Sequence, residues 1–151
     1  MAKPRRQLVL EAMRARLQAI EVANGFNTDA GLLVFLGEVP QLGTSDPDTA
    51  IALVPGEEIA AWNQGANLLI RLPLIVSAIA KADLAEPWLA VEAIIGDVKR
   101  AIELEDRTLG GLVQRMIERG SVLVWEREPG ATSVAASVTY IAPYVEGWGT
   151  P

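Results

Sequence analysis

The stretch WLAVEAIIGDVKRAIELEDRTLGGLV, Trp88–Val113, decides the fold. Val91, Ile94, Ile95, Val98, Ala101 and Ile102 recur at helical spacing and share one face, while Glu92, Lys99, Arg100 and Glu103 point elsewhere. Pro87 suits a first helical turn, and Asp83 and Glu86 place acid near the positive end of the helix dipole. The pattern runs to about Leu104; Glu105-Asp106-Arg107 is a polar break and Thr108-Leu109-Gly110-Gly111 reads as loop. Gly96, inside the helix, either admits a close backbone or is tolerated at about 1 kcal/mol relative to alanine. A helix with one apolar face must bury it, and most other segments read as strands. The expected arrangement is a sheet with this helix laid on it.

Working outward, Arg5–Val22 is expected to be a first helix, with Leu10, Met13, Leu17 and Ile20 as its stripe and Asn24-Gly25 as its end. Gly25–Gly31 is a compact polar connection whose Asn27, Thr28 and Asp29 can bond to nearby backbone. Leu32–Leu36, Ala50–Val54 and Asn67–Ala78 read as strands. Gly37–Thr49, with Pro40, Gly43, Pro47, Glu38, Asp46 and Asp48, reads as a long exposed loop that works or waits for a partner to order it. Pro55-Gly56-Glu57-Glu58 signals a turn, and Glu58–Gly65, with Trp62, reads as irregular. Pro73 cannot donate to a ladder, so the third strand is expected to be an edge there or to carry a bulge. Arg71, inside the same apolar run, snorkels outward or meets an acid across a subunit contact.

Beyond the opening stretch, Leu112–Arg119 reads as a turn of helix or a link. Ser121–Arg127, with Leu123 and Trp125 on one face, and Ser133–Ile141 read as strands. Glu128-Pro129-Gly130-Ala131 joins them with the residues a type II turn demands. Val134, Ala136, Val138 and Tyr140 alternate with Ser133, Ala135, Ser137 and Thr139. Pro143–Pro151 reads as a tail whose Tyr144 and Trp148 dock on the body or on a neighbouring subunit. The whole is one domain, residues 1–151, of α+β class: one mostly antiparallel sheet in the order helix, three strands, helix, two strands, with both helices packed on it.

Composition narrows the chemistry. The chain of 151 residues is half hydrophobic and 21% charged, as a folded domain is. It has neither cysteine nor histidine. Disulfides, thiolate nucleophiles, zinc–thiolate sites and Ser-His-Asp or Cys-His arrangements are thereby excluded. Lys3, Arg5 and Arg6 are followed by a charge-interrupted segment and not by the apolar core of a signal peptide. The most apolar window, Leu68–Ala80, contains Arg71 and Pro73 and falls short of the roughly 18–20 apolar residues of a membrane span. A cytoplasmic setting is expected. The net charge of −6 is uneven: the first twenty residues hold five cations against Glu11, so the rest is strongly acidic. An acidic body argues against a broad nucleic-acid-gripping surface. The basic start reads as the solvated face of the first helix.

Three stretches carry a resemblance. They are Gly25–Gly31 after an amphipathic helix, Gly96–Ile102 with Asp106–Val113 following, and the strand end Tyr140–Tyr144. Together with the element order, they resemble the tail-terminator and minor tail proteins of long-tailed phages and gene transfer agents, over most of the chain. The resemblance implies a structural virion protein of the tail or neck, made in the host cytoplasm. It implies a homo-oligomer in a hexameric ring that caps the tail tube, with the tail-tube protein and a head-completion or neck protein as partners. DNA would pass the lumen without specific binding, helped by like-charge repulsion from an acidic body. The resemblance implies no catalytic residue, cofactor, metal or membrane. Another head–tail connector or tail-completion protein shares the same expectations. Candidate subunit or partner contacts are Asp46, Asp48, Arg71, Glu105, Asp106, Arg107, Tyr144 and Trp148.

A different class, a small enzyme or binding module, would have to draw on Asp29, Asp46, Asp48, Glu57, Glu58, Asp97, Glu105 and Asp106. Glu57/Glu58 or Glu105/Asp106 could form a carboxylate pair or a magnesium site, but adjacent acids on a turn diverge into solvent. Gly110-Gly111 lacks the preceding strand and the following Lys-Ser/Thr of a phosphate loop.

Overall fold

A computed structural model describes residues 2–124 and 129–151. Among them are two helices, α1 (Arg5–Gln18) and α2 (Pro87–Glu103), and six strands: β1 (Val34–Leu36), β2 (Thr49–Pro55), β3 (Ile59–Gln64), β4 (Asn67–Lys81), β5 (Glu118–Val124) and β6 (Ser133–Gly147). The fold is α+β, as expected, with four strands and not three between the helices. The strands make one mixed sheet in the order β1-β2-β4-β6-β5, with β3 pairing β4 on the same side as β2. Only β1 and β2 run parallel; the other pairings are antiparallel.

The spine is β4 against β6, fifteen residues each, in register from Asn67↔Gly147 to Lys81↔Ser133. As a whole β4 is interior, but at Pro73 itself it is an edge on one side: the β2 ladder ends at Leu74 and the β3 ladder at Arg71. The Pro73 carbonyl accepts from Gly56 N at 2.8 Å. In a strand, a residue's N–H and C=O point to the same side. The missing N–H therefore faces the interruption between β2 and β3, where a donor has no ladder partner. Pro143 repeats the device in β6: its carbonyl accepts from Gln114 N at 2.7 Å, just past the point where β5 begins. β6 can thus run on through Ala142, Pro143 and Tyr144 to Gly147, where the sequence reading ends it at Ile141. The tail shortens to residues 148–151.

Other boundaries move too. α1 stops at Gln18 and not Val22, since Ala19 N and Ile20 N turn back onto the Arg16 and Leu17 carbonyls. Its core stripe is Val9, Met13 and Leu17, with Leu10 only partly buried. Gly31 seals this end: its N–H donates to Ile20 O, and a Cβ there would lie 2.6 Å from that oxygen and closer still to Leu17 O. Gly25 keeps its left-handed capping role at φ +87°, but it ends a separate single turn, Val22–Asn24. Residues 58–65 are not irregular. Most of them are β3, hairpinned onto β4 through Gly65-Ala66, with Gly65 at φ +60°. β5 starts at Glu118, inside what the sequence reads as a link. Gly96 lies on open surface with nothing near a would-be Cβ, so it is a tolerated glycine. Gly130, at φ +81°, fits the type II turn. Trp125 and Glu128 fall outside the described residues.

Both helices pack on one face of the sheet. α2 buries Val91, Ile94, Ile95, Val98 and Ile102 against β4 and β6. The strand residues of the helix-side core have even numbers: Leu72, Leu74 and Val76 in β4, Val138, Tyr140 and Tyr144 in β6, all fully buried. At about 25 cal/mol per Å² of apolar area removed from water, this layer supplies most of the folding drive.

Candidate functional site

The sheet's other face has no helix on it. Alternation puts Ile75, Ser77 and Ile79 of β4 there, beside Ser137, Thr139 and Ile141 of β6 and Ala50, Ala52 and Val54 of β2. The loop of residues 37–48 is mostly exposed, as the sequence reading has it, but it lays one buried residue, Leu42, over part of this face. Leu42 is buried against Ala50, Ala52 and Ile79. Its N–H donates to Ser133 Oγ at 2.7 Å, and Gln41 Oε1 accepts from Thr132 N and Ser133 N. Lys81 Nζ donates to the Asp46 carbonyl and pairs with Asp48 at 3.6 Å. The loop is a strap tied to its own sheet.

The other part is bare. Ile59 (53% exposed) and Trp62 (43%) of β3 stand on one flank, and Glu118 of β5 on the other. Between them, Trp62, Leu69 and Val145 form one cross-strand row, and Arg71 and Pro143 the next. A cleft of about 280 Å³ lies here, bounded by Trp62 and Leu69 on one side and Arg115 and Glu118 on the other. Residues from both flanks line one hollow, so the face is concave. Arg71 bridges the trough to Glu118 at 2.8 Å, an acid of its own chain. Arg115 sits at its mouth at φ +66°, a conformation costly for an arginine, and no carboxylate among the described residues pairs with it.

The eight sequence candidates do not converge. Arg71 lies in the trough. Asp46 and Asp48 secure the strap, the Asp46 carboxylate accepting from Gly43 N. Glu105 and Asp106 tie α2's end to α1, because Arg16 donates to both carbonyls and pairs with the Asp106 carboxylate. Asp106 also accepts from Thr108 and Gly110, Thr108 chiefly, which holds its carboxyl below the usual range. The Arg107 carbonyl accepts from Ile117 N. Tyr144 is enclosed in the helix-side core, so the body it docks on is its own. Trp148 is 62% exposed, held at its N–H by Ala66 O. Sequence reasoning misses Ile59, Trp62 and Arg115; the one signal is a tryptophan in a polar-reading segment beside a strand apolar on both sides.

The acids weighed for catalysis are likewise dispersed. Asp97 is the buried one. It accepts from Asn27 N at 3.1 Å and from Thr28 N and Oγ1 at 2.8 Å each, which clamps residues 25–31 onto α2. Arg100 assists by donating to Gly25 O while lying 5.0 Å over the Phe26 ring. Asp29 accepts from Val22 N. Glu58 accepts from Tyr144 and lies 3.9 Å from Arg6; Glu103 accepts from Tyr140 at 2.8 Å and pairs with Arg119. Burial first, and then these carboxylates, push both phenols above their ordinary range. No three acids among the described residues gather as a metal site would require. A larger cleft, about 520 Å³, separates the C-terminal ends of α1 and α2, but its Arg16, Arg100 and Asp106 already serve internal bonds.

No protein-family model matches this sequence, and no curated protein matches it significantly.

Proposed function

We propose that this chain is a structural assembly protein, a tail terminator of a long-tailed phage or gene transfer agent, whose copies form a ring that caps the tail tube and joins it to the head or neck. The observation that supports the reading is the bare half-face: a concave trough with Trp62, Leu69 and Pro143 among Arg71, Arg115 and Glu118, flanked by two strands, β3 and β5, each paired on one side only among the described residues. Unpaired strand edges and exposed apolar area are liabilities in a lone chain and assets in an assembly. The resemblance in residues 25–31, 96–102, 106–113 and 140–144 supports the specific assignment. Another connector or tail-completion protein would use the same surfaces. Images of the protein mixed with purified tail tubes test it: density at tube ends is expected, and bare ends at saturating protein sink the terminator reading.

A further inference from the structure

The trough faces away from the helices, and α2 presents a second apolar surface on the opposite side of the molecule. Trp88 (38% exposed) and Leu89 (61%) stand out at its first turn, followed by exposed Ala93 and by Gly96, above which there is open space. This convex strip is neither buried by the sheet nor covered by another element. We propose that the start of α2 in one copy seats in the trough of the next copy, with Trp88 and Leu89 against Trp62 and Leu69, and Glu86 and Glu92 toward Arg115.

Charge selects this occupant. Residues 82–98 contain Asp83, Glu86 and Glu92 on the surface, the buried Asp97, and no lysine or arginine. The charged residues that line the trough are Arg71 and Arg115 against Glu118 alone. An acidic strip therefore faces a basic rim, which orients docking and raises its rate. Arg115 has no partner among the described residues despite its strained backbone; a carboxylate from a neighbour gives it one. The cleft, at about 280 Å³, falls below the roughly 300–1,000 Å³ of ligand pockets and suits an anchoring side chain. Shape agrees as well, since a convex helix meets a concave sheet.

The two patches lie on opposite sides of one chain, so the contact is heterologous. Copies joined this way continue head to tail until a ring closes or a filament grows. The inference rests on the ring reading in one respect, that copies associate; it adds which surfaces do so.

The natural chain has no cysteine, which makes disulfide trapping specific. Trp62→Cys and Leu89→Cys proteins, mixed and oxidised, are expected to give a cross-linked dimer. Trp62→Cys mixed with Leu32→Cys, also on the surface, is expected to give none. In sedimentation, Arg115→Glu and the double variant Glu86→Arg/Glu92→Arg are each expected to weaken self-association by about tenfold or more, and mixing the two to restore it. All are surface changes, and circular dichroism checks that each variant folds. A wild-type chain that assembles, while the Trp62→Cys and Leu89→Cys proteins assemble but give no cross-link to each other, overturns the contact and leaves the ring reading standing. A chain that stays monomeric yet binds tube ends through Arg115 overturns it in favour of the tail-tube protein as occupant. A chain that neither assembles nor binds tubes defeats both readings.

Discussion

Leu74 and Ile75 are neighbours in β4, yet they belong to different environments. Leu74 is fully buried under α2, whereas Ile75 is half-buried on the side without helices. An antiparallel sheet with one wet face normally alternates apolar and polar residues. Both central strands break the rule in part: β4 turns Leu69, Ile75 and Ile79 outward among Asn67, Arg71, Ser77 and Lys81, and β6 turns Ile141 and Val145 outward beyond Ser133, Ser137 and Thr139. The helix-free face thus carries more apolar side chains than a fully wet face needs. The strap covers Ile79, and the proposed neighbour would cover the trough. Breaking this comparison is direct. Leu74→Ala is expected to cost about 2–5 kcal/mol in urea unfolding of the monomer, and Ile75→Ala less than about half as much. Equal costs would mean that the two faces are not different.

The helix side also depends on one buried carboxylate, for which the open face has no counterpart among the described residues. Asp97 satisfies two backbone N–H groups and a hydroxyl of the loop of residues 25–31. Asp97→Ala would leave those donors unpaired near the core, at a cost of about 1–3 kcal/mol. Hydrogen exchange sharpens the point: Asn27 and Thr28 amides are expected to lose protection while the amides of β4 at Ile75 keep theirs. Uniform loss would show that the loop is not held locally by Asp97.

Some of this is legible in the sequence and some is not, for physical reasons. α2 is readable because Val91, Ile94, Ile95, Val98 and Ile102 at helical spacing leave little alternative, and β6 because its alternation is clean. β3 is hidden because Ile59–Gln64 holds two alanines and a single β-branched residue, and only the hairpin onto β4 makes it a strand. Pro73 reads as an edge, which holds on one side of β4 alone, and Pro143 as the start of a tail, since the side to which a missing N–H points depends on where neighbouring strands end. The role of Asp97 needs a loop 70 residues away, although an aspartate between Ile94 and Val98 on the apolar face is a signal. The stretches that carry the resemblance meet inside the molecule: Asp97 and Arg100 hold residues 25–31, and Tyr140 reaches Glu103. They report how the chain folds. The surface residues that would meet a partner lie elsewhere, and no local pattern marks a concavity formed by strands distant in sequence.

Alkaline pH separates the faces again, because both buried phenols lie on the helix side. Tyr140 and Tyr144 have folded-state pKa values raised by burial and by Glu103 and Glu58. The stability they contribute is fully present below the unfolded pKa of about 10 and is lost as pH rises beyond it, since the unfolded chain releases protons that the folded chain retains. Each tyrosine is expected to lower stability by up to about 1.4 kcal/mol per pH unit there. Tyr140→Phe removes one share of that slope. An unfolding free energy that is flat from pH 9 to about 11 would contradict the enclosure of these rings.

The smallest effect belongs to the trough. Arg71 and Glu118 are both partly exposed, at 2.8 Å, and their pairing competes with water and salt. Glu118→Gln is expected to change monomer stability by less than about 1 kcal/mol, and by still less at high salt. Its consequence for assembly should be larger. Removing the Glu118 charge frees Arg71 and makes the rim more basic, so an acidic strip should dock at least as tightly. Monomer unfolding and concentration-dependent sedimentation of the same variant therefore move independently. If Glu118→Gln instead destabilises the monomer as much as Leu74→Ala does, the ion pair is a structural brace, and the bare half-face is part of the folding core and not a surface held open for a neighbour.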